Sequence, residues 1–161
     1  MTRRSPSSPR RRVARALVAP IVLPHELAHA LVAWVAGLNP TIELLPRWDG
    51  PTVPLGRFDA TIGAATPTWV IRAIAVAPAP ISLGVAAVVR ATGTLEGVLA
   101  VPLVLALGYT GSLSGGDIAV IVNPTAAQEA GRFVVPPTRW QALSIVIAPA
   151  TTLAVAALLV G

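Results

Sequence analysis

PIVLPHELAHALVAW, residues 20–34, is the stretch on which the reading of the whole chain turns. It places His25, Glu26 and His29 inside a run from Val13 to Leu38 whose only other charge is Arg15. His25 and His29 are the only histidines among 161 residues. With two His and four Glu available, His-Glu-x-x-His arises by chance on the order of 3 times in 10,000. Residues four apart share one face of a helix, so both imidazoles can reach a single metal ion. Glu26, beside the first imidazole, is placed to act as a general base on a water that the metal activates rather than as a ligand. The metal expected at such a site is Zn²⁺.

Three ionisable groups within about one helical turn of an apolar segment are costly, at about 2.5–3.5 kcal/mol for each charged residue on insertion scales. A lone histidine in such a segment is ordinarily a hydrogen-bonded interior residue, and a lone glutamate a packing partner. A structural role for all three at once leaves the cost without compensation, so a metal site is the preferred reading.

Around this stretch the composition is that of a membrane protein. The chain is 54% hydrophobic and 12% charged, with a mean hydropathy of +0.72. The charged share is about half that of an average soluble domain. Sixteen prolines and thirteen glycines oppose long soluble helices. The expected class is an all-α membrane protein with about four transmembrane helices and a short β-like polar insert after the first. Arg3, Arg4, Arg10, Arg11, Arg12 and Arg15 crowd the start of the chain. They read as a basic, disordered, cytoplasmic tail over residues 1–12 that faces anionic lipid headgroups. No nucleic-acid motif accompanies the arginines, and no nucleic-acid partner is expected. With no cysteine, neither disulfides nor thiolate metal sites are possible. A cleaved signal peptide is the rival reading of residues 1–37, but the apolar run is too long and holds HELAH, so a retained span is expected.

The membrane domain is expected over 13–161, with spans at about 13–38, 66–89, 97–122 and 140–160. Pro20 and Pro24 predict a kink or a late start in the first, and APAP at 77–80 breaks the second. Residues 39–60, with Glu43, Arg47, Asp49, Arg57 and Asp59, read as short extended pieces around a turn at Asp49-Gly50. They are too polar to face lipid and must lie outside the bilayer or against protein. In the four-span topology this insert and the polar connection 124–139 fall on the outer side, and both termini on the cytoplasmic side. Trp34, Trp48, Trp69 and Trp140 fall near span ends or in the loop, as interfacial anchors do.

A catalytic zinc needs a third protein ligand. The candidates are Glu43, Asp49, Asp59, Glu96, Asp117 and Glu129. Asp117 is favoured because it follows Gly115-Gly116, where the backbone can bend to aim a carboxylate. Its competing role is to cap the helix that begins at IAVIV, 118–122, and the two roles are compatible. Ideal helix rises leave Asp117 about 12 Å from the depth of His25 and about 6 Å from that of His29. An unwound Gly/Ser stretch at 108–116 and the two Pro breaks of the first span can close that gap.

HELAH in a first span, a polar insert, a second span with an Ala-Pro break and Ser114-Gly115-Gly116-Asp117-Ile118 together resemble a zincin peptidase family of small prokaryotic membrane proteins. That family is related in plan to the site-2 intramembrane zinc metalloproteases. The resemblance covers about residues 17–125. It implies His25, His29 and Asp117 as zinc ligands and Glu26 as base. The chain departs from the site-2 pattern in lacking Asn-Pro-Asp-Gly; its Asn123-Pro124 follows Asp117. The function expected is a membrane-embedded zinc metalloprotease acting on membrane-protein or peptide substrates in the cell membrane. The alternatives are a non-proteolytic membrane protein that keeps the zinc fold as a binding or assembly module, and a zinc hydrolase of a non-peptide membrane substrate.

Overall fold

A computed structural model describes residues 9–46, 55–93, 97–133 and 140–160. The expectations for the first eight residues, for Arg47, Trp48, the Asp49-Gly50 turn, Glu96 and Arg139 lie outside the described residues. Within them the chain is all-α apart from one small sheet. Helix α1 spans Pro9–Val35 and is followed by strands β1, Pro40–Leu44, and β2, Gly56–Ala60. Then come α2, Thr68–Val76, α3, Pro78–Thr92, a 3₁₀ turn at Gly97–Leu99, and α4, Ala100–Gly111. The chain continues through α5, Gly115–Val122, α6, Pro124–Ala130, and α7, Gln141–Val160.

Val13–Val35 within α1 and Ala142–Val160 within α7 are each long and apolar enough to cross a membrane. Helices α2 and α3 meet at 49° and α4 and α5 at 42°; counting each bent pair as one span gives up to four. The α2–α3 bend falls at the expected Ala-Pro break. Only 6% of the apolar window of α7 is buried. Its apolar flanks, Ile145 and Leu153 among them, are open to the surroundings.

Three local expectations change. Helix α1 begins four residues before Val13 and continues without interruption through Pro20 and Pro24. It stops where Gly37, at φ 77°, lets the Leu38 N–H turn back to the Ala33 carbonyl at 2.9 Å, a closure that favours a residue without Cβ. The stretch after Asn123 is not simply a polar connection, because Pro124 sets the first turn of α6 and Gly131, at φ 66°, ends it.

The polar insert is an antiparallel hairpin, with Glu43 opposite Arg57 and Leu44 opposite Gly56. It packs against protein. It folds back along α1: the Leu44 carbonyl accepts Arg15 Nε–H at 3.1 Å, and Gly56 lies on Val22 and Glu26. The core gathers on its inner face, where Phe58 and Ala60 meet Ala33 of α1, Ile71 and Ile74 of α2, and Val120 of α5. A third piece of chain pins its base. Thr61 pairs with Arg132, the Phe133 N–H donates to Asp59 Oδ1 at 3.0 Å, and Arg132 reaches Asp59 Oδ2 at 3.3 Å.

Candidate metal centre

His25 and His29 lie one turn apart on the face of α1 that turns inward. Each ring is fixed by its Nδ1: His25 donates to the Thr110 carbonyl at 2.9 Å, and His29 to the Ile74 carbonyl at 2.7 Å. A carbonyl only accepts, so both Nδ1 atoms carry the proton and a neutral ring leaves Nε2 as a lone pair. The two Nε2 atoms face each other at 3.2 Å. Asp117 completes a triangle, with Oδ2 at 3.5 Å from His25 Nε2 and Oδ1 at 3.2 Å from His29 Nε2. Three acceptors converging on one point repel unless a cation or a shared proton lies among them. His25, His29 and Asp117 could hold a metal ion, and they are the cluster that the described residues bring together for it.

Asp117 reaches this place through the break between α4 and α5. Ser112–Ser114 are non-helical, and Ser114 is the N-cap of α5. The Asp117 N–H donates to Ser114 Oγ at 3.2 Å while Asp117 Oδ2 accepts the Ser114 N–H at 2.7 Å, a reciprocal capping box. The unwinding expected over 108–116 is confined to 112–114, because α4 runs to Gly111 and α5 starts at Gly115, and Asp117 is the third residue of that helix rather than its cap. The Ser-x-x-Asp spacing before an apolar run is the signal that identifies Ser114 as its partner.

Glu26 is buried beside the triangle but outside it. A Cβ built on Gly56 would lie 2.7 Å from Glu26 Oε1 and would also overlap Val22, so only glycine lets β2 close over this carboxylate. His29, 2% exposed, is roofed by Phe58 at 5.4 Å between ring centroids and 29° between planes; Phe133 in turn meets Phe58 edge-on at 5.1 Å. Thr110, Ile74, Gly56 and Phe58 carry no motif of their own, and the fold alone brings them to the histidines.

No protein-family model, curated protein or solved structure matches the chain.

The other candidate ligands go elsewhere. Glu43 pairs with Arg57 at 3.1 Å. Asp59 is partly buried and holds the 132–133 segment. Glu129 is exposed on α6.

Proposed function

We propose that this chain is a membrane protein of four spans that binds zinc through His25, His29 and Asp117 and hydrolyses peptide bonds in or beside the bilayer. The observation that carries the reading is the convergence of two imidazole Nε2 atoms and a carboxylate. The two Nε2 atoms are 3.2 Å apart, and each lies 3.2 or 3.5 Å from a different oxygen of Asp117, which puts all three side chains within reach of one ion with ligands at about 2.0–2.1 Å. The backbone carbonyls behind both rings are the usual outer partners of metal-binding histidines, fixing tautomer and orientation. Two histidines and one carboxylate form a ligand set of the kind found in catalytic zinc sites, which keep a position open.

Bound zinc supplies Lewis acidity, polarising the scissile carbonyl and easing deprotonation of water near neutral pH. Glu26 takes a proton from the attacking water on its carboxylate and later delivers it to the leaving amine. Gly56 gives that carboxylate its room. The capping box holds Asp117 in register with the imidazoles, and Phe58 shields the far side of His29 from water.

The test is hydrolysis of a fluorogenic apolar peptide by the purified chain in lipid vesicles, with zinc content measured on the same samples. Glu26→Gln should retain zinc and lose about 10²–10⁴-fold in rate. His25→Ala and His29→Ala should lose both zinc and hydrolysis. Equal hydrolysis by Glu26→Gln and the wild type overturns the assignment of the base. Full zinc with no hydrolysis by the wild type favours the binding-module reading.

A further inference from the structure

Helices α2 and α3 meet at 49°, yet the backbone between them stays in the right-handed helical region, with Ala77 at φ −49° and ψ −39°. The bend is made by a proline. In a continuous helix the N–H of residue 78 would close on the carbonyl four residues back, at Ile74, and Pro78 has no N–H to give. Its ring also crowds that carbonyl and turns it outward. From the two helices the Ile74 carbonyl receives the Ala77 N–H at 3.3 Å. The short bond comes from α1, where His29 Nδ1–H donates to the same oxygen at 2.7 Å. Ile74, Pro78 and His29 are all buried, so the pairing cannot be replaced by bulk water.

The other histidine is served by the other break. In a continuous helix the Thr110 carbonyl would take the Ser114 N–H, but α4 stops at Gly111 and that N–H goes to Asp117 Oδ2 at 2.7 Å. The Thr110 carbonyl accepts His25 Nδ1–H instead, at 2.9 Å. Each bent pair of helices thus breaks at the carbonyl that orients one imidazole. A proline at the first position of a helix ordinarily only starts it, because the N–H it lacks has no partner within the helix. At Pro78 the helical run comes from α2, and the N–H it lacks would have had one.

We propose that Pro78 is a positioning residue of the metal centre: by withholding an N–H it leaves the Ile74 carbonyl to His29, which fixes the proton on Nδ1 and turns Nε2 toward His25 and Asp117. The effect travels through the backbone and needs no contact between the proline and the imidazole. An N–H restored at position 78 would compete for the carbonyl, straighten the bend and draw the acceptor back along α2. His29 would then lose the bond that selects its tautomer. The inference rests on the metal-binding part of the proposed function and is independent of hydrolysis.

Pro78→Ala and Pro78→Val both restore the N–H, and valine also fills the space of the ring, so hydrogen bonding is separated from packing. Pro80→Ala is the control, because Pro80 is exposed and the carbonyl four residues before it, at Val76, serves neither histidine. The full chain with ¹⁵N-labelled histidine, in detergent and without added metal, is read by two-bond ¹H–¹⁵N correlation above the imidazole titration range, with signals assigned in His25→Ala. The spectrum shows which nitrogen of each ring holds the proton, and zinc affinity is then measured on the same samples against a chromophoric chelator. The wild type and Pro80→Ala should hold His29 as the Nδ1–H tautomer. Pro78→Ala and Pro78→Val should both shift it toward the Nε2–H tautomer, leave His25 unchanged and weaken zinc by about 10–100-fold. An unchanged His29 in both variants overturns the proposal. So does wild-type behaviour of Pro78→Val beside a shifted Pro78→Ala, which would make the role one of packing, and so do equal changes at both rings, which are loss of fold. A wild type that binds no zinc overturns the metal reading instead, and the tautomer of His29 still decides whether Pro78 orients that ring.

Discussion

Asp117 Oδ2 accepts the Ser114 N–H at 2.7 Å while the two oxygens of the same carboxylate face His25 and His29, so one side chain both closes the start of α5 and completes the acceptor triangle. The two roles separate by substitution. Asp117→Asn keeps an acceptor for the cap but loses the charge, so helix content should persist while zinc binding and hydrolysis fall together. Ser114→Ala leaves the ligand intact but removes the hydroxyl that holds the Asp117 N–H. It should cost about 0.5–2 kcal/mol of stability and weaken zinc by about 10–100-fold, as loss of an outer-shell partner does. Zinc titration and thermal unfolding on the two variants check both outcomes; unchanged zinc affinity in Asp117→Asn would make that residue purely structural. HELAH and Asp117 were readable beforehand because the first is a pattern at helical spacing and the second a charge after a glycine break. The partners that orient them were not: Thr110 and Ile74 contribute backbone carbonyls, which any residue carries, and Phe58 is an ordinary core aromatic until the hairpin lands on His29.

The elements meet through small residues where helices approach closely. A Cβ on Gly108 of α4 would come within 2.9 Å of the Thr152 backbone in α7, and one on Gly111 within 2.8 Å of Ser82 in α3. Ser82 itself donates to the Leu107 carbonyl, and Thr152 turns its hydroxyl inward along its own helix to Ala148 at 2.9 Å. Close backbone approach of this kind is how helices associate where lipid removes the hydrophobic drive. Gly108→Val should force α4 from α7 and cost about 1–3 kcal/mol, read as a lower thermal midpoint in detergent. An unchanged midpoint would mean the two helices are not clamped there. Gly56→Ala tests the hairpin in the same manner. It should displace Glu26, lower hydrolysis and leave zinc bound, and Val22→Ala in the same chain should restore part of the rate by freeing space. The extended character of the insert followed from its charged residues spread around a turn signal at Asp49-Gly50. Its fold-back along α1 did not, because alternation fixes which face is apolar and not which element that face will meet. Helix α6 was likewise hidden, since seven residues of Pro-Thr-Ala-Ala-Gln-Glu-Ala hold too little apolar pattern to stand out from a loop.

Over the whole molecule the ends of the bundle differ in kind. Arg15 of α1 and Arg90 of α3, whose guanidinium donates to the Leu158 carbonyl at the end of α7, stand at the end where the chain starts and finishes. The opposite end holds Trp34 and Trp69, both 69% exposed, with Trp140 just before α7. Arginines stand at both ends, Arg72 and Arg132 on the side of the tryptophans, so the sidedness rests on the even number of spans in the proposed four-span reading. Tags on both termini should therefore be cleaved by protease from the same side, and a cysteine at Ala64 should label from the other. Opposite sidedness of the two tags would require an odd number of spans. The central claim is that His25, His29 and Asp117 hold zinc, and X-ray absorption at the zinc edge of the purified wild-type chain tests it most directly. It should show one zinc per chain with two imidazole nitrogens and oxygen neighbours at about 2.0–2.1 Å. A chain purified without chelators that binds no zinc, or binds it through fewer than two imidazoles, contradicts the claim.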